Sequence, residues 1–243
     1  SMLERAGLSE ANMECGTHWP TRQQASLDLA ASGKKPNQLH NNCSGKHSGF
    51  LCTCAHQGID PAGYVQAEHR LQEMVRDAME SVTGAKHDPA HRGTDGCSIP
   101  TYAVPLQNLA LGFARMATGE GLGPQRAAAA KRLFTACMAE PFLVAGTDRA
   151  DTALMQAGTG RIMVKIGAEG VFCGAIPELG IGFALKSDDG AARAAEAIVA
   201  RLLAILMRGD EDLASKLKTL ANPIFKNWNG ITVGGIRTPE ASA

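Results

Sequence analysis

A change of pattern near residue 160 constrains the fold most. Arg161–Ile166, Glu169–Ile176 and Gly180–Leu185 are short apolar runs bounded by glycines, the signature of an antiparallel meander. Everything before them reads as helix and loop. Thr21 is a candidate N-cap with Gln24 three residues on, for a helix that runs to Ser32 and stops at Gly33. A second helix is expected from Ser44 through Ala55, capped by Asn42 or Ser44 and ended by Gly58. A third opens at Pro61 and places Leu71, Met74, Val75 and Met79 on one face. Thr83–Ser98 reads as a long loop, and Pro105–Thr118 and Pro124–Ala139 each begin with a proline suited to a first helical turn. After the meander, Ala191–Met207 is an amphipathic helix and Ile231–Ile236 a last strand. Helices followed by a sheet predict α+β, an antiparallel sheet flanked by helices, rather than alternating βαβ units. The expected organisation is one domain over 1–243, helical over about 20–157 and sheet-containing over about 158–243.

Charge excludes several functions. Lys plus Arg is 24 and Asp plus Glu is 24, which gives no long-range pull toward nucleic acid or an anionic membrane. The longest apolar candidate, Ala194–Met207, is broken by Glu196 and Arg201, so no transmembrane span is expected. Seven cysteines cannot all pair within one chain, and no secretory signal is visible. A reducing cytoplasm is the expected compartment.

Three clusters carry chemistry. In Asn42-Cys43-Ser44-Gly45-Lys46-His47-Ser48, a helix starting at Cys43 presents the thiol, the Lys46 amine and the His47 ring to one face. The N–H groups of that helix start would make Cys43 more acidic than a free thiol. In Asp95-Gly96-Cys97, a carboxylate and a second thiol share a glycine-bounded turn. Two such thiols can meet on one zinc ion with a lysine or histidine as third ligand, although two packed, inert cysteines would fit the same pattern. In Lys165-Ile166-Gly167-Ala168-Glu169-Gly170, a lysine at a strand end can face a cleft, or simply water. Thr147–Thr152 reads as a surface helix cap that could alternatively order a cleft wall.

Taken with Cys15-Gly16-Thr17-His18-Trp19-Pro20 and Val144-Ala145-Gly146-Thr147-Asp148-Arg149, these motifs resemble, in order, the L-asparaginase II family of the rhizobial, thermolabile type. The resemblance implies a fold similar to serine β-lactamases and penicillin-binding proteins, with the N-terminal strands absent here. It implies hydrolysis of L-asparagine to L-aspartate and ammonia. It implies a zinc ion on Cys43, Lys46 and Cys97 that orients substrate, with His47 and Asp95 beside it as substrate-binding residues. Lys165 corresponds to the catalytic lysine that pairs with a serine. The family's nucleophilic serine lies in a Ser-x-x-Lys element near its N-terminus. The one bare match, Ser32-Gly33-Lys34-Lys35, sits at a broken helix end and reads as chance. The chain is therefore expected to lack the nucleophile and to be inactive or weak alone. A homo-oligomer, a dimer, is expected from the sheet edge such a chain would expose. Two other readings stay open: a thiol hydrolase with Cys43 as nucleophile and His47 or Lys46 as base, and a non-catalytic zinc-binding remnant.

Overall fold

The computed structural model describes residues 1–239. The chain is α+β, as the order of helices and strands predicts, and packs as two compact units, Ser1–Ser81 with Ala85–Val104 and Val82–Gly84 with Pro105–Ala243.

In the first unit, α1 (Met2–Arg5), α2 (Gln23–Ala31), α3 (Ser44–Gln57) and most of α4 (Arg70–Thr83) precede a small hairpin of β1 (Arg92–Thr94) and β2 (Pro100–Tyr102). Three local expectations change. The N-cap of α2 is Arg22 rather than Thr21. Cys43 itself is the N-cap of α3, because the Asn41 Oδ1 accepts its N–H at 2.8 Å. Pro61 opens a series of turns, not a helix. Asp60 Oδ1 accepts the Ala62 N–H at 3.0 Å, an Asx turn that competes with helical bonding, and the helix begins only at Arg70. Gly58 ends α3 in the left-handed conformation, φ 63°, as its sequence position predicts. The loop expected over Thr83–Ser98 folds in part. Arg92 pairs with Tyr102 and Thr94 with Pro100, which leaves Asp95–Ile99 as the hairpin tip. The core of this unit gathers Leu3, Met13, Leu51, Tyr64, Leu71 and Ile99.

In the second unit, α5 (Leu106–Thr118), α6 (Pro124–Ala139), α7 (Pro141–Ala145) and α8 (Ala150–Gly158) lead into β3 (Met163–Ile166), β4 (Val171–Ile176) and β5 (Ile181–Lys186). The strands form the predicted meander, in order β3-β4-β5 and antiparallel throughout. They are followed by α9 (Ala192–Leu206), α10 (Glu211–Ala221) and a hairpin of β6 (Ile224–Lys226) and β7 (Thr232–Gly235). The core lies between sheet and helices and includes Phe134, Leu154, Phe172, Ile176, Val199, Leu203 and Leu217. Helix α5 packs so closely on β5 that a Cβ at Gly182 would run into the backbone of Ala110 and Ala114. The β6–β7 hairpin is exposed along both strands, and Trp228 at its turn is fully exposed.

Candidate metal centre

The start of α3 and the tip of the β1–β2 hairpin meet within the first unit. Asn41 is buried and donates from its side chain to Cys15 O at 2.8 Å. Its Oδ1 meanwhile holds the Cys43 N–H, so one amide side chain fixes the helix start. At the hairpin tip, Asp95 N–H donates to Ile99 O and Ser98 N–H to Asp95 O, each at 2.8 Å. Ser98 takes φ 78° to close this turn. The result brings Cys43 Sγ, an Asp95 carboxylate oxygen and Cys97 Sγ within 4.8 Å of one another. The Cys97 thiol donates to Asp95 Oδ2 at 3.3 Å, and the Lys46 ammonium donates to the same oxygen at 3.4 Å.

These groups hold each other's protons. Burial pushes the Cys97 thiol up to about 11, against the pull of the Lys46 charge. Burial would lower Lys46, but Cys97, Cys43 and Asp95 outweigh it and its ammonium is held above its ordinary range. Burial opposes ionisation of Asp95, yet the Cys97 thiol, the Gly96 N–H and Lys46 prevail and its carboxyl stays below the usual range. Two sulfurs, a carboxylate and an amine form a donor set suited to zinc. A tetrahedral site needs sulfurs roughly 3.8 Å apart for zinc–sulfur bonds of about 2.3 Å, which the observed separation permits with small side-chain shifts. Lys46 could join only after losing its proton.

His47 differs from its neighbours. It is fully buried, between the rings of Phe50 and Tyr64. Its Nδ1 lies 2.6 Å from Tyr64 Oη, which also accepts the Glu14 N–H at 3.0 Å. The other ring nitrogen of His47, Nε2, is buried with no hydrogen-bond partner. Burial lowers the ring to about 4 and raises the Tyr64 hydroxyl to about 12.

Lys165 lies in the second unit, on β3 opposite Cys173. Its Nζ donates to Ile166 O at 2.8 Å and lies 3.8 Å from Asp151 Oδ1. Glu169 is a turn residue with φ 54°. Ser32 is the C-cap of α2, and its hydroxyl donates to Leu29 O at 2.7 Å. Sequence reasoning missed Asn41, Tyr64 and Asp151. Asp151 reads as a surface residue of a polar run, yet it is fully buried, and no residue pattern signals that.

A family model described as L-asparaginase II matches residues 1–238. A search of curated proteins returned no match. Among the described residues, no helix is long and apolar enough to cross a membrane.

Proposed function

This chain belongs to the L-asparaginase II family, and we propose on that premise that it serves the hydrolysis of L-asparagine to L-aspartate and ammonia, with its substrate oriented at a zinc site on Cys43, Lys46 and Cys97. The family supports amide hydrolysis of a small-molecule substrate. The observation that carries the rest is the meeting of Cys43, Asp95 and Cys97 within 4.8 Å, beside Lys46.

A zinc ion held there would supply a Lewis-acidic contact that orients a substrate carboxylate or carbonyl. Asp95 would accept a hydrogen bond from the substrate's ammonium group, since its carboxyl is kept ionised. Lys165 would take the proton of a serine hydroxyl as that oxygen forms a bond to the side-chain amide carbon. Ammonia then leaves with a proton, and water resolves the acyl-enzyme to L-aspartate. Among the described residues, Lys165 contacts Ile166 and Asp151 rather than a serine. The attacking hydroxyl is therefore not assigned, and L-asparagine turnover by this chain alone is expected to be weak or absent.

Calorimetry with L-aspartate, beside an assay of ammonia release from L-asparagine, tests the reading. It expects zinc-dependent binding that weakens at least roughly tenfold in Cys97→Ser, and ammonia release, where present, that disappears in Lys165→Met. Binding indifferent to Cys97→Ser would overturn it. So would ammonia release that survives Lys165→Met and stops when Cys43 is alkylated, an outcome that favours a thiol hydrolase.

A further inference from the structure

Asp151 is a fully buried acidic residue in the first turn of α8. Its Oδ1 accepts the Ile166 N–H at 2.7 Å, while Oδ2 is buried with no hydrogen-bond partner. Strand β3 is an edge of its sheet. Gly167 N–H turns inward to Val171 O, so the Ile166 N–H, one residue earlier, faces away from β4 and needs an acceptor from outside the sheet. A neutral acceptor would satisfy it. Burying a carboxylate instead costs several kcal/mol unless an opposite charge answers it, and the cation that meets this one is Lys165, 3.8 Å away. The Lys165 side chain is 45% exposed, and ion pairs with an exposed partner add little stability. Stability therefore does not explain why position 151 carries a charge.

We propose that Asp151 is a positioning residue for Lys165: its carboxyl group accepts the peptide N–H that follows the lysine and lies beside Nζ, so that the amine is held at one place along the edge of β3. A single side chain thus contacts both the backbone after this lysine and its amine. The proposal rests on Lys165 being the proton acceptor of the reaction.

The test uses spectra of the lysine ammonium groups, with the Lys165 signal assigned by its loss in Lys165→Arg. Asp151→Asn keeps an oxygen for the Ile166 N–H and removes the charge. The Lys165 signal is expected to shift or broaden away in Asp151→Asn while that of Lys186 stays, and the Ile166 amide is expected to stay close to its original position. An unchanged Lys165 signal in folded Asp151→Asn overturns the proposal. Should Asp151→Asn fail to fold, the reverse arm decides. In Lys165→Met the Asp151 carboxyl carbon signal, assigned through its backbone, is expected to shift while that of Asp210 stays, and an unchanged Asp151 signal overturns the proposal. Where ammonia release is measurable, Asp151→Asn is expected to lower kcat with KM held within about twofold. Release that survives Lys165→Met overturns the catalytic role of Lys165 and leaves the Asp151 contact standing, so the two failures are told apart.

Discussion

The hydroxyl of Tyr64 is hydrogen-bonded to Nδ1 of the fully buried His47 across 2.6 Å, and the same oxygen accepts the Glu14 N–H. Tyr64→Phe keeps the ring and removes the hydrogen-bond partner of both groups. The expected cost is about 1–3 kcal/mol, because unsatisfied buried polar groups lose their full desolvation energy. Urea denaturation of wild type and variant reads it, and an unchanged midpoint would rule the network out as a stabilising element.

His47 also sets an acid limit. Its ordinary value is 6.5 and burial lowers it to about 4 in the folded chain, so between those values the unfolded chain binds a proton that the folded chain refuses. Its contribution is fully present above pH 6.5 and is lost as pH falls from 6.5 toward 4. The total is roughly 3 kcal/mol for a shift of that size. Histidine ring resonances followed against pH are expected to show one ring that stays neutral down to about pH 4. A titration of every histidine between pH 6 and 7 would contradict this.

Metal loading should release protons. The Cys97 thiol is raised to about 11 and Lys46 is held charged, so both carry protons at pH 7 that a metal must displace. Zinc titrations in buffers of different ionisation enthalpy are expected to report at least one proton released per ion. Release of none would mean that neither group binds the metal.

Packing of the second unit makes its own prediction. Gly182→Ala puts a methyl group against the backbone of Ala110 and Ala114 on α5, where neither side can yield cheaply. The expected loss is roughly 3 kcal/mol, seen as a lower Tm. A Tm within a degree of wild type would mean that α5 and β5 are not packed this closely.

Patterns confined to one element were legible in the sequence. Pro124 at a first helical turn gave α6 its bounds, Pro124–Ala139, and the glycine-bounded runs gave the three-stranded meander. The Pro61 signal misled, because the Asp60 side chain takes the local N–H that a helix start would use. Helix α10 was not anticipated, although Asp210 caps it through the Leu213 N–H at 3.1 Å. Within the metal centre, the residue types of Cys43 and Cys97 were readable, and so was the nearness of Lys46 to Cys43 on one helix. The supports were not: the roles of Asn41 and Tyr64, and in the second unit that of Asp151, depend on contacts with residues 15 to 50 positions away, which no local spacing encodes.

Zinc content bears most directly on the account. The dialysed chain and its Cys43→Ser, Cys97→Ser and Lys165→Met variants can be analysed by elemental mass spectrometry after equilibration with zinc. The account predicts one zinc ion per chain in wild type and in Lys165→Met, and less than about a tenth of that in either cysteine variant. Zinc retained at full occupancy in both cysteine variants, or absent from the wild-type chain, would contradict it.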